Sequence, residues 1–468
     1  MANVRISELP AATLPLTGAE LVPVVQSGVT KQTSVTTVGT GVTNVKRYGA
    51  VGDGVANDAA AIQAASTAVF NAGGGTVYFP RGTYKIESSV TVDRGVIFSG
   101  EGFGSAIVGS GAGVVFSNAQ ASSMNYAGAQ NLRIYRSDAS GVALDVSGAV
   151  ADGTTRWFLN NVYLIRTDGK NGTGLRISGS WNITMTNVLI SGWDIGMQIN
   201  QNTGVAAALN SAAFVGGQIE GNNTGLDLNA CLGINFIGAA IELNSTIGVD
   251  ADAAYNLNFK GCYFEANGTA DIRVGNSAAC FSVVIDGNYF NTPAVGGLAN
   301  SIIGANVTGL AVVNNRFERY TAEPISITGA SVTGEARNNT KTTANTVGMV
   351  TLAAGCDRFS YVDADRTAKG IELTIASGAV TPTTDFHIVD TEGDAATDDL
   401  DTINNGVNGM VLRLQAANGA RTVVLTEAGN IVCPGASVSL DNADDMVTLV
   451  YSESRGKWIV SAFSDNGA

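Results

Sequence analysis

Between residues 130 and 340 one apolar residue recurs at a nearly even interval: Ile134, Leu164, Ile190, Ile219, Ile241, Phe264, Phe290 and Phe317, separated by 30, 26, 29, 22, 23, 26 and 27 positions. Each interval holds short alternating apolar and polar runs, which predict strands, and a repeat of this length predicts a solenoid whose turns bury one continuous core. A second run recurs as Gly174-Leu-Arg-Ile, Gly196-Met-Gln-Ile, Gly225-Leu-Asp-Leu and Gly248-Val-Asp-Ala. A third recurs as Gly233-Ile-Asn-Phe-Ile-Gly, Asn256-Leu-Asn-Phe-Lys-Gly and Ser282-Val-Val-Ile-Asp-Gly. Three strands per turn, with Gly and Asn between them to take left-handed corners, predict a parallel β-helix.

The pattern changes at both ends. Ala59 to Phe70 favours helix and puts Ile62, Ala65 and Val69 on one face, with Asn57 or Asp58 as N-cap and Gly73-Gly-Gly as terminator. Strands are predicted at Thr76-Val-Tyr-Phe-Pro and Gly82-Thr-Tyr-Lys-Ile. A short helix here would cover the open end of the solenoid, which otherwise exposes strand edges and core. Residues 1–43 carry few apolar positions, broken by Pro10, Pro15, Pro23 and Gly18, and hold too little core to stand alone. Around 341 the repeat stops, with Lys341-Thr-Thr-Ala-Asn-Thr as the junction. Alternating runs at Met410-Val-Leu-Arg-Leu-Gln, Arg421-Thr-Val-Val-Leu, Met446-Val-Thr-Leu-Val-Tyr and Lys457-Trp-Ile-Val then predict a separate β domain.

Tyr48-Gly-Ala-Val-Gly-Asp-Gly, Ala61-Ile-Gln-Ala-Ala and Phe79-Pro-Arg-Gly-Thr-Tyr resemble the entry segment of the pectate-lyase-like superfamily, which implies a right-handed parallel β-helix. Ile6-Ser-Glu-Leu-Pro-Ala-Ala-Thr, Leu16-Thr-Gly-Ala-Glu-Leu-Val-Pro-Val-Val-Gln and Gly28-Val-Thr-Lys-Gln-Thr resemble the N-terminal piece of phage tail fibre and tailspike proteins. The C-terminal end, with Gly429-Asn-Ile and the Trp458 strand, resembles β domains of phage tail proteins. Together these imply a virion-anchoring segment at 1–43, a capped β-helix at 44–340 and a β-sandwich-like domain at 341–468 for trimerisation or glycan contact. They also imply a phage tailspike or tail fibre homotrimer that joins a tail or baseplate protein through residues 1–43. Its ligand would be a bacterial surface polysaccharide. A free polysaccharide lyase or hydrolase and a non-catalytic structural fibre fit the same solenoid, because this fold hosts all three.

Composition narrows the partners. The formal charge is −14, which opposes binding to polyanionic nucleic acid. The start lacks a basic region followed by an apolar run, and no apolar run of about 18 residues occurs, so synthesis in the host cytoplasm and no membrane insertion are expected. Cys231, Cys262, Cys280, Cys356 and Cys433 lack CxxC pairs and sit in apolar contexts, as buried free thiols do. The single His, His387, lies between Phe386 and Ile388 in a predicted strand and reads as a packed residue. No cofactor or metal is expected, and chemistry within the solenoid falls to carboxylates, Arg, Lys or Tyr.

The residue after the recurring apolar position supplies those carboxylates: Ile219-Glu220-Gly-Asn222, Ile241-Glu242-Leu-Asn244 and Phe264-Glu265-Ala-Asn267, then Asn291 and Glu318. Equivalent residues of neighbouring turns stack at strand spacing, about 4.8 Å, so Glu220, Glu242 and Glu265 should form a column in which repulsion raises at least one pKa. These are the candidate catalytic residues, and their spacing fits either retaining or inverting glycoside hydrolysis. The stacked Asn222, Asn244 and Asn267 equally fit a structural ladder. Asp227, Asp250, Arg176, Trp193 and Glu318 are candidate glycan contacts, Trp193 because a corner after Gly192 would expose it.

Overall fold

A computed structural model describes residues 21–34, 42–111, 113–116, 126–136, 141–147, 154–199, 209–292, 301–320, 323–342, 349–356, 358–363, 372–406 and 408–466. Most of the expected anchoring segment and residues 343–346 of the expected junction lie outside these residues. The described residues form two compact units, those up to Trp193 and those from Asp194 onward. Ahead of the first coil strand, Leu21–Gln26 pairs antiparallel with Val29–Ser34 across a two-residue turn, Ser27-Gly28, with both φ values positive as a primed hairpin turn requires.

In the first unit the alternating runs become three stacks of parallel strands. One contains Val42–Asn44, Gly75–Tyr78 and Val96–Ser99, which pair in that order. A second pairs Asp53–Asn57, Gly82–Ile86 and Ser105–Gly109. The third joins Val90–Val92, Val114–Phe116, Val142–Ser147 and Thr173–Ser178. Inward positions are apolar and buried, with Val77, Tyr84, Ile86 and Phe98 fully covered, so each coil adds a slice of core.

The one α-helix among the described residues is Ala59–Asn71, and it buries Ala59, Ile62, Ala65, Ser66 and Val69. It closes the free edge of Val90–Val92: the Thr91 N–H donates to Gln63 Oε1 at 2.8 Å, and the Ser66 hydroxyl donates to the Thr91 carbonyl at 3.0 Å. Edge groups that would pair with another chain are thereby satisfied. The cap divides the two candidate residues. Asn57 Oδ1 accepts the Ala59 N–H at 3.2 Å, whereas the buried Asp58 carboxylate accepts the N–H groups of Val51 and Gly52 and ties down the preceding turn.

The second unit is itself a three-strand solenoid. Thr224–Asn229, Ile247–Asp252, Ile272–Val274, Ile302–Gly304 and Ile325–Ile327 pair in parallel on one wall. Cys231–Ile237, Tyr255–Lys260, Cys280–Asp286 and Val307–Val313 form the second wall. Gln218–Glu220, Ala240–Glu242, Tyr263–Glu265, Tyr289–Asn291 and Arg316–Glu318 form the third. The recurring apolar residues stand in register, Ile219 on Ile241, Phe264, Phe290 and Phe317, and in the first unit Ile134 on Leu164 and Ile190. Phe264, Phe290 and Phe317 stack with centroids 4.7 and 4.8 Å apart, the distance the strand spacing imposes.

Residues 372–466 share a core closed by Trp458, whose Nε1 donates to the Ile403 carbonyl at 3.0 Å. The alternating runs become Val411–Ala416, Thr422–Thr426, Met446–Ser452 and Lys457–Ser464. Pairing here is mixed: Phe386–Asp390 lies parallel to Val411–Ala416, which lies antiparallel to Met446–Ser452. His387 is fully buried, its Nε2 accepting the N–H groups of Thr383 and Thr384 at 3.0 Å, and all five cysteines are buried free thiols.

Candidate functional site

The third wall of the second unit carries the acidic row. Glu220, Glu242 and Glu265 pair in register, followed by Asn291 and Glu318, and all three carboxylates are half-exposed. The corner after each strand explains why. Gly221, Leu243 and Ala266 have φ of 65°, 56° and 53°, and this left-handed residue turns the chain so that Glu stays outside while the next side chain points inward.

That next side chain is Asn222, Asn244 or Asn267, all buried. Asn222 Nδ2 donates to Asn244 Oδ1 at 3.0 Å, and Asn244 Nδ2 donates to Asn267 Oδ1 at 2.9 Å. Asn244 and Asn267 also donate to the carbonyls of Ile219 and Ile241. The ladder ends on Asp271, which accepts from Asn267 Nδ2 at 2.7 Å and from the hydroxyls of Ser301 and Tyr320 at 2.8 Å. Burial pushes the Asp271 carboxyl up to about 6 despite these donors. A second ladder runs Asn288, Asn315, Asn339 on the same pattern.

The three glutamates differ in their surroundings. Burial first, and then the Glu220 charge, raises the Glu242 pKa above the ordinary carboxylate value; Gln218 Nε2 donates to it at 3.4 Å. Glu265 accepts from the Tyr263 hydroxyl and from Asn291 Nδ2, both at 2.7 Å. Glu318 is held by Arg316 at 2.8 Å, and that hydrogen bond lowers its pKa. Tyr263 and Tyr289 stack flat with centroids 5.6 Å apart. The row therefore places a carboxyl inclined to hold a proton between two further carboxylates, an arrangement able to donate a proton and to accept one.

The other candidates are distributed differently. Asp227 and Asp250 are in register on the first wall, but Asp250 is spent on Arg273, which donates from Nε at 2.9 Å and Nη2 at 2.6 Å. Asp227 accepts from Gln198 Nε2 at 3.0 Å, and its pKa is raised by burial and then by Asp250. Arg176, in the first unit, makes an ion pair with Asp145. Trp193 is a correction: it is fully buried, its Nε1 donates to the Leu164 carbonyl at 2.8 Å, and Arg166 lies over its ring, so no sugar reaches it. Burial of the large indole and its hydrogen bond to a core-strand carbonyl favour the inward orientation. The neutralising partners were missed from sequence, although Asp145 lies 31 residues before Arg176 and Arg273 lies 23 after Asp250, close to the coil repeat. Among the described residues no cluster of His, Cys, Asp and Glu is placed to hold a metal ion, and no helix is long and apolar enough to cross a membrane.

Residues 42–250, a little under half of the chain, match the family model described as rhamnogalacturonase A/epimerase, pectate lyase-like. The likeness to pectate-lyase-like proteins is thus to residues 42–250, and the described strands form a β-solenoid. Among solved structures it is similar to ORF18 of Geobacillus virus E2, at 16% identity over 96% of this chain and 83% of that one, with a TM-score of 0.48. The gp42 tailspike of Acinetobacter phage vb_AbaP_AS12 is similar at 11% identity over 92% and 82%, TM-score 0.48. The enzymatically active domain of tailspike protein 2 of bacteriophage CBA120 is similar at 14% identity over 76% and 50%, TM-score 0.47. No curated protein matches the chain in sequence.

Proposed function

We propose that this chain is a phage tailspike or tail fibre subunit that binds a bacterial surface polysaccharide during attachment. The observation that carries the reading is the row Glu220, Glu242, Glu265 with Tyr263 and Tyr289, standing in register on one solenoid wall. A polymer of repeating sugars meets hydrogen-bonding groups that themselves repeat at coil spacing, with the edges of the stacked phenol rings beside them. Residues 1–43 join a tail or baseplate protein; the right-handed solenoid expected at 44–340 extends past the expected boundary, since Val350–Leu352 and Phe359–Asp363 pair in parallel with Ile325–Ile327 and Thr333–Lys341, and the residues beyond it form a β-sandwich-like domain that supports a homotrimer or touches glycan. The virion tail is the resulting location. The N-terminal and C-terminal assignments rest on the sequence resemblances.

If the glycan is cleaved, Glu242 is the proton donor, because its neighbours and its burial favour the protonated form. Glu220 or Glu265 then serves as base or nucleophile. The test assays the purified chain against capsule and O-antigen of its host for binding, new reducing ends and unsaturated products. Glu242→Gln should bind as wild type and lower turnover by about 100-fold or more, the usual loss for a general acid. Full activity in Glu220→Gln, Glu242→Gln and Glu265→Gln would move the active site elsewhere. Binding without any cleavage by the wild type assigns the row to adhesion.

A further inference from the structure

The second wall of the second unit carries a groove unconnected with the acidic row. Tyr255 and Phe281 are in register on adjacent coils, 45% and 36% exposed, and their rings stack with centroids 4.8 Å apart and planes 15° from parallel. One residue further along each strand, Asn256 and Ser282 take left-handed φ values of 54° and 58° and bend the wall. Past the bend lies a cavity of about 410 Å³ whose lining includes Asn235, Asn256, Asn258, Lys260 and Asp286. Asn258 is held in place by donating to the Asn256 carbonyl and Oδ1 at 3.3 and 3.2 Å. Lys260 and Asp286 stand 4.0 Å apart at the far side, and Lys260 is 71% exposed.

We infer that this groove is a second glycan-binding site, which takes a neutral, hydroxyl-rich oligosaccharide along the Tyr255–Phe281 stack toward Asn258 and Lys260. The inference rests on the glycan-binding reading above and adds a subsite on a different wall. The two stacked rings cover each other's inner faces and leave their apolar edges in water, and the C–H groups of a sugar ring cover such edges. Amides and an ion pair supply both donors and acceptors, which matches hydroxyl groups that do both. Asp286 within the lining and the chain's charge of −14 disfavour an acidic sugar. A second copy of this chain fits less well, since its docking would strip water from Asn235, Asn258, Lys260 and Asp286, each of which would need a matched partner.

The test measures binding of the full chain to a printed array of neutral and acidic bacterial surface polysaccharides, with Tyr255→Ala/Phe281→Ala and Tyr255→Phe alongside wild type. The double alanine variant should lose about 10-fold or more in affinity for neutral glycans, the scale of removing an aromatic anchor. Tyr255→Phe, which keeps the ring, should bind as wild type. Unchanged binding by the double variant to a glycan that wild type binds would overturn this site alone. Binding of acidic glycans only would do the same. So would a lower molar mass of the double variant in light scattering, which would make the wall a contact between copies. No glycan bound by wild type would overturn the proposed function together with the subsite.

Discussion

Asn244 shows how much of the solenoid's order depends on single buried amides. Its Oδ1 accepts the backbone N–H and the Nδ2 of Asn222, while its Nδ2 serves Asn267 and the Ile219 carbonyl. Asn244→Ala removes these partners inside the core, and each stranded group costs about 1–3 kcal/mol. A drop of at least about 2 kcal/mol in unfolding free energy by denaturant titration is expected, with strand content by circular dichroism unchanged before the transition. Asp271 makes a pH-dependent contribution. Its carboxyl titrates near 6 in the folded chain against an ordinary 3.8. A raised folded pKa means stability that is fully present below pH 3.8 and lost as pH rises through 6, about 3 kcal/mol in all. Carboxylates held by arginine or backbone donors, such as Glu318 and Asp445, respond in the opposite direction, so the contribution is read as a difference. The stability of Asp271→Asn relative to wild type should increase between pH 4 and pH 7, and a pH-independent difference would show that Asp271 does not titrate in this range.

At the scale of the element, the ladder and the neighbouring strands fix each other's composition. A Cβ on Gly225 would stand 2.5 Å from the Gly248 carbonyl oxygen and 2.9 Å from Asn244 Nδ2, and one on Gly196 would meet Gly225 and Asn222 in the same way. The glycine at the second position of each of these strands is thus required by the next coil's carbonyl and the ladder amide packed against it, not by its own φ. Gly225→Ala is expected to lower stability by about 1–3 kcal/mol through overpacking, measured as a fall in the thermal unfolding midpoint. Gly216 has open space around its Cβ position but a φ of 62°, so the same substitution there tests left-handed strain separately from crowding.

At the scale of the molecule, the proposed homotrimer has a direct measure. The protomer mass is 47.8 kDa, and light scattering at micromolar concentration should give three times that value. A monomer would remove the threefold assembly and with it any glycan site shared between subunits. Closed symmetric assembly also suits a solenoid whose strands already pair coil to coil, because walls with satisfied backbone groups can pack without opening an edge for further chains.

The sequence by itself determined the coil repeat, its three strands, the helix over Ala59–Asn71 and the row Glu220, Glu242, Glu265. Each depends on periodicity, and a parallel solenoid converts a sequence interval directly into a spatial neighbour. It determined the asparagine ladder for the same reason. Tertiary structure alone decided which of these groups retain free chemistry. Asp250 is neutralised by Arg273, Glu265 is held by Tyr263 and Asn291, and Trp193 is drawn into the core. It also decided that Tyr255 and Phe281 stack outside while Phe236 and Phe259 stack inside. Inward or outward orientation along these strands changes at left-handed corners such as Asn256 and Ser282, and a residue that bends the chain resets the alternation from which a sequence pattern is read.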